Sequence, residues 1–316
     1  FITLIVFTSI YLFIFRLPTI KAIGNIKRFS KESFISLNNI FFGTLIFSVM
    51  LGVTYPLIYE FLFNQKISVG APFYNAVFIP IVVLACFFLF FSIDSKWSRN
   101  INLKFLSTPI FLSLLFSLIS VISTAYLFNT NNLAILVSIF AGAIIIFRYI
   151  IEVLNYFLNK KYINPFSVIA HMALGLLLVS ISFNSLLSTE RALNIKINEY
   201  EEYKDLKIFF EDIRVLNNSN NDSIKATFVI ENLDGKKFNL SPEKRKYFTR
   251  GQITTETAIH IMPLKDIYMT IGDQLDDGSW IVNIQINYLI RFIWFSAALM
   301  AFAGIMLVFS NKRKQL

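Results

Sequence analysis

Residues 166–187 read FSVIAHMALGLLLVSISFNSLL, with no Lys, Arg, Asp or Glu in the run. A helix rises 1.5 Å per residue, so a hydrocarbon core about 30 Å thick takes roughly 20 such residues, and this stretch is read as a membrane span. Asn164 before it can cap the helix, and Pro165 suits the first helical position, where its missing N–H is not needed. Beyond the span the chain changes character: residues 188–287 are polar and charged, with short runs rich in Phe, Ile and Val between turn residues. Working outward, further apolar stretches fall at about 1–15, 38–62, 73–93, 106–128, 133–157 and 288–309. The expected fold class is an α-helical polytopic membrane protein of about seven transmembrane helices, with one small all-β domain inserted before the last helix. Its domains are expected at 1–187, 188–287 and 288–316.

Composition agrees. Of the 316 residues, 55% are apolar and only 16% charged, whereas a soluble globule carries roughly a quarter charged residues. Disorder needs the opposite balance, low hydrophobicity and high charge. A pI near 9.5 suggests nucleic acid until the charge is mapped. Residues 189–287 carry 13 Lys/Arg against 16 Asp/Glu, so the basic excess lies in short segments between apolar stretches, and no nucleic-acid partner is expected. One alternate set of segments, span ends included, holds Arg16, Lys21, Lys27, Arg28, Lys31, Lys96, Arg99, Lys104, Arg148, Lys160, Lys161, Lys312, Arg313 and Lys314, while the opposite flanks hold Lys66 and Arg291. The positive-inside rule then puts the C-terminus in the cytoplasm, or the matrix of an organelle, and the β-domain outside. The chain opens at Phe1 within an apolar run, without initiator Met, n-region or cleavage site. It is read as a piece of a longer protein, either a truncated record or one product of a split gene.

Within 188–287, strands are expected at 206–215, 224–231, 236–240, 246–249, 267–271 and 280–286. The Asp234-Gly235 pair between two of them is a strong hairpin signal. Short strands at this spacing favour a small β-sandwich or barrel.

Few residues carry chemistry. The single Cys86 excludes an intrachain disulfide and a cysteine-based metal site, and reads as a small buried apolar residue. His171 lies about two turns into the 166–187 span. Ser167, Gly175, Leu178 and Ser182 share its face at helical spacing, a small and polar stripe with room for a bulky partner. Two readings stand side by side: a hydrogen bond between helices, or a functional group such as an axial haem ligand or proton relay, since ionisable residues at that depth are rare. His260 reads as a solvated surface imidazole. Glu60 and Glu152 lie near helix ends, Asp94 opens a loop, Arg148 is expected to snorkel, and Arg291 beside Trp294 to anchor the last helix at the interface. Pro80 and Pro109 are placed near span ends, and Gly142 and Gly304 read as isolated. No nucleophile–base pair or phosphate-cradling loop is present, so no catalytic residue is named.

Several segments together resemble the C-terminal half of the CcmF/CycK/NrfE family, the haem lyase subunits of cytochrome c maturation. They are ESF at 32–34, LNN at 37–39, GVTYP at 52–56 and the most specific, KISVGAPFYN at 66–75. Ala170-His171, TER at 189–191, EKR at 243–245, DIY at 266–268, GSW at 278–280 and RFIW at 291–294 continue the series in order. The resemblance implies a subunit that handles haem during its covalent attachment to apocytochrome c. It implies haem b as cofactor, held in the membrane by two histidines, with His171 matching the more C-terminal ligand and so the metal ligand here. Implied partners are the missing N-terminal half, a CcmH-type apocytochrome-presenting subunit, a periplasmic haem chaperone and apocytochrome c. The implied location is the bacterial inner membrane, or the mitochondrial inner membrane for an organelle-encoded chain. The family's tryptophan-rich haem-binding segment is absent, since only Trp97, Trp280 and Trp294 occur. This chain alone is therefore not expected to be an active lyase. Alternative readings are a transporter or permease subunit, and a non-catalytic membrane anchor whose β-domain binds a partner.

Overall fold

The structure, a computed structural model, describes residues 2–19, 26–97, 108–159, 163–233, 235–249 and 251–312. Lys21, Arg99, Lys104, Lys160, Lys161, Arg313 and Lys314 of the orientation argument, and Asp234 of the expected turn, lie outside the described residues. Contacts divide the chain into two compact units, Phe1–Phe105 and Leu106–Leu316.

The first unit contains α1 (Ile2–Arg16), α2 (Lys31–Phe63) and α3 (Ala71–Ser92). The helix α2 starts seven residues before its apolar run, and its 33 residues span about 50 Å, more than the membrane alone requires. It ends where Asn64 takes a left-handed conformation (φ 53°) and donates its N–H to Glu60 O at 2.9 Å. Pro80 lies ten residues into α3, not near its end as the sequence reading had it, and Pro56 lies inside α2. Both helices continue through these prolines. The α2–α3 crossing is close: a Cβ at Gly52 would come within 2.6 Å of Tyr74 Oη. The GVTYP and KISVGAPFYN stretches therefore meet. Cys86 is buried in α3, as expected.

The second unit contains α4 (Thr108–Leu127), α5 (Leu133–Asn159), α6 (Pro165–Leu187) and α7 (Ile290–Lys312). Among the described residues, six helices, α2 to α7, are long and apolar enough to cross a membrane. At 15 residues α1 is shorter than a full span. A tight turn joins α4 to α5, with Asn129 at φ 46° and Asn132 Oδ1 accepting from Ala134 N–H at 3.1 Å. As read from the sequence, Asn164 caps α6: its side chain accepts from Phe166 N–H, and Pro165 opens the helix.

Between α6 and α7 the described residues form ten strands: β1 (Thr189–Ile195), β2 (Tyr200–Tyr203), β3 (Leu206–Asn217), β4 (Asn221–Asn232), β5 (Lys237–Leu240), β6 (Glu243–Tyr247), β7 (Ile253–Glu256), β8 (Ala258–Ile261), β9 (Lys265–Gln274) and β10 (Trp280–Tyr288). One sheet runs β1-β10-β9-β8. The other runs β2-β3-β4-β6-β7, with β5 pairing β4. Alternation does the folding. Phe228 and Ile230 of β4, Ile208 and Phe210 of β3, Ile267, Met269 and Ile271 of β9 and Val282, Ile284 and Ile286 of β10 all turn inward to one core. The Asn232–Gly235 hairpin forms where expected, with Gly235 at φ 72°, and joins β4 to β5. The sequence reading omits β1, β2, β7 and β8, because three of them are four residues long and β1 carries Glu190 and Arg191 outward.

At the far end of the sandwich, Asp277 accepts from the backbone N–H and hydroxyl of Ser279, at 3.0 and 2.6 Å, closing the β9–β10 turn. Those two bonds hold its carboxyl below the usual carboxylate range. At the near end the domain is tied to its helices. Asn184 Nδ2 donates to Tyr288 O at 2.7 Å, Tyr288 N–H donates to Ser188 Oγ at 3.0 Å, and Leu289 N–H donates to Leu264 O at 2.9 Å.

Candidate functional site

The polar centre of the spanning region lies between α5 and α6. Their crossing is set by two glycines. A Cβ at Gly142 would stand 2.8 Å from Gly175 O, and one at Gly175 would stand 2.8 Å from Gly142 O and 2.7 Å from Ile146 Cγ1. Only missing side chains let the backbones come so near. Gly142 is therefore not isolated, and the stripe of Ser167, Gly175, Leu178 and Ser182 has no room for a bulky partner at Gly175, because α5 fills it.

One turn from Gly175 toward the start of α6 stands His171. Tyr149 of α5 meets it: the hydroxyl lies 2.7 Å from Nδ1, and the two rings stack with centroids 5.2 Å apart and planes 21° apart. Ser167, one helical turn before His171, places its Oγ 3.2 Å from the same nitrogen. Tyr149 is buried and His171 half-buried. Nδ1 is thus engaged by two hydroxyls, whereas Nε2 has no hydrogen-bond partner among the described residues. The two ring nitrogens point in diverging directions, so what holds one determines the tautomer presented by the other. When Nδ1 carries the proton and donates it to the hydroxyl pair, Nε2 presents a lone pair.

Beside Tyr149 lies the largest departure from the sequence reading. Arg148 does not snorkel, and Glu152 is not solvated at a helix end. Their side chains are 1% and 8% exposed, and Nη1 donates to Oε1 at 2.6 Å. Arg148 is eleven residues from the end of α5, about 16 Å along the axis, too deep for its head to reach water when α4 and α6 flank it. The signal was present in FRYIIE at 147–152, where Arg and Glu fall four apart on one helix face and Tyr149 falls between them. Tyr149 itself was missed because its partner lies 22 residues away, on another helix.

The other singled-out residues are placed elsewhere. His260, on β8, is half-buried and stacks flat on Phe238 of β5, with centroids 3.6 Å apart, so its ring bridges the two sheets rather than standing in solvent. Arg291 Nε lies 3.4 Å from Asp266 Oδ1 of β9, a partner the sequence reading lacked. Among the described residues, no group of three or more His, Cys, Asp or Glu could hold a metal ion. The structure brings His171 to Ser167 and Tyr149, and to no second histidine among the described residues.

Comparison with known proteins bears on this arrangement. Residues 186–287 match the family model described as the CcmF C-terminal beta-sandwich. The cytochrome c-type biogenesis protein CcmF of Escherichia coli (strain K12) is 27% identical over 320 residues, covering all of this chain and 49% of that protein. CcmF of Pseudomonas fluorescens is 26% identical, covering 97% of this chain and 47% of its own length. The biogenesis protein CycK of Bradyrhizobium diazoefficiens is 27% identical, covering 94% and 47%. The solved structure of "Cytochrome c Heme Lyase CcmF" superposes with a TM-score of 0.69 at 16% identity, over 89% of this chain and 46% of that one. The chain thus spans about half the length of the relatives it matches. It is similar, over almost its whole length, to the CcmF and CycK cytochrome c-type biogenesis proteins, and the likeness includes the sandwich at 186–287.

Proposed function

We propose that this chain is a haem-handling membrane subunit of cytochrome c maturation, in which His171 supplies one axial ligand to a transmembrane b-type haem. The observation that carries the reading is the His171 ring: Nδ1 is held by the Tyr149 and Ser167 hydroxyls, and Nε2 has no partner among the described residues. That donor set fits haem iron, which takes neutral imidazole through one nitrogen while the other is fixed by a hydrogen bond. When bound, the haem would supply one-electron chemistry. The chain's own part is to orient the ligand, fix its tautomer and exclude water from its Nδ1 side with the buried Tyr149 ring. The second ligand would come from sequence outside this chain, since the other histidine, His260, belongs to the sandwich.

In this reading the β-sandwich at 188–287 faces the periplasm, or the intermembrane space, and docks a haem chaperone or a CcmH-type subunit presenting apocytochrome c. The Arg/Lys asymmetry of the short loops supports that orientation. Attachment of haem to apocytochrome c would belong to the assembly with the N-terminal half.

The test is the oxidised and dithionite-reduced absorption spectrum of the detergent-purified chain coexpressed with its N-terminal half, beside His171→Ala. Sharp reduced α and β bands, lost in the variant while the complex still forms, are expected. Bands that survive His171→Ala, or a folded complex without haem, would sink the redox role and leave His171 a packing residue. Tyr149→Phe keeps the ring and removes the hydroxyl. It is expected to retain the bands but raise the haem reduction potential, because an imidazole that loses an Nδ1 acceptor stabilises ferric iron less. A potentiometric titration reads this directly, and an unchanged potential would show that Ser167 alone holds the ring.

A further inference from the structure

We propose that the β8–β9 loop of the sandwich, residues 262–264 with Ile261 at its edge, is a lipid-binding surface that seats the domain in the headgroup layer of the bilayer. Strand register puts this loop at the membrane end. Ile261 pairs with Asp266, Lys265 with Tyr288, and Ile286 with Thr189, the residue that leaves α6 within two positions. Leu264 O accepts from Leu289 N–H at 2.9 Å, beside the first residue of α7. The 23 residues of α7 measure about 34 Å, little more than the hydrocarbon thickness. A backbone pinned to the start of that helix therefore stands at the edge of the hydrocarbon.

The side chains there match an interface. Ile261 and Leu264 are 58% and 60% exposed and Pro263 is exposed, while half-buried Met262 packs against the sandwich core and holds the loop in place. Around it stand Lys265, close to the Tyr288 ring, and Arg291, whose side chain is 46% exposed beside Asp266. Trp294, one turn deeper on α7, is exposed on the same side as Arg291. Exposed apolar residues flanked by cations, with an aromatic one turn into the adjoining span, are the groups that gather at a bilayer interface. A lipid surface is the occupant to which α6 and α7 deliver this loop on whichever side of the membrane the domain lies. The opposite turn, at Asp276 and Asp277, is acidic and lies about 30 Å off along the nine residues of β10.

The experiment places a nitroxide label at Leu264→Cys in a Cys86→Ala background, with the chain in phospholipid nanodiscs. Ile261→Cys serves as a second site, and Asp276→Cys as the far control. Collision rates are measured with oxygen, which concentrates in lipid, and with a water-soluble nickel chelate. At 264 and 261 the oxygen-to-nickel ratio is expected to shift in favour of oxygen, and at 276 in favour of nickel. Equal ratios at 264, 261 and 276 would place the loop in water and overturn the proposal. Low collision rates with both reagents at 264 and 261 would mean a protein surface covers the loop, which overturns it as well.

Discussion

Glu152→Ala is expected to cost about 1–3 kcal/mol of stability, the range for taking one hydrogen-bond partner from a buried polar group. The cause is what the substitution leaves behind. The Arg148 side chain is 1% exposed and loses the carboxylate that accepts from its Nη1 at 2.6 Å, so a buried charged donor gives up a charged acceptor. Arg148→Met in the same chain should recover most of the loss, because the buried charge is then gone and an unbranched apolar chain of similar length fills its volume. The pair therefore forms a double-mutant cycle with strong non-additivity, read from denaturant titrations of the detergent-solubilised protein followed by tryptophan fluorescence. Additive losses would show that the two side chains do not depend on each other.

Gly175→Leu is expected to be comparably severe, and for a different reason. A Cβ at this position already stands 2.8 Å from Gly142 O, a backbone atom that cannot rotate away. Overpacking by a few methylenes costs about 1–3 kcal/mol where side chains can yield, and here α5 and α6 must separate instead. The separation acts one turn away on the 2.7 Å contact between Tyr149 and His171, so haem retention is expected to fall together with stability. Gly304→Leu is the control, since nothing lies within 4 Å of the Cβ it would add. Thermal unfolding and the haem band of the two variants check this: similar behaviour of both would mean that the α5–α6 crossing is not tightly determined.

Both effects arise at positions that the sequence marks only faintly. Spans at 73–93, 133–157 and 166–187 could be bounded to within a few residues, because apolar length against bilayer thickness is a one-dimensional property of the chain. The sandwich was legible through β3, β4, β9 and β10, whose alternation is long enough to count. It was not legible through β7 and β8, at four residues each, which hold their place by pairing with a neighbour. His171 stood out by itself, since an imidazole in an apolar span is conspicuous. Its surroundings did not, because Tyr149 reads as one more aromatic in a chain with 16% aromatic residues.

By itself, then, the sequence determined that the chain is a multi-span membrane protein, where the β-domain is inserted, and which span carries an imidazole. Each follows from composition and period along the chain. The tertiary structure alone decided that Gly142 and Gly175 meet, that the space expected beside Gly175 is filled by α5, that Arg148 and Glu152 are buried together, and that Tyr149 holds Nδ1 of His171. These are relations between helices, set by which faces pack when apolar surface and unpaired polar groups are buried at once, and no stretch of one helix contains them.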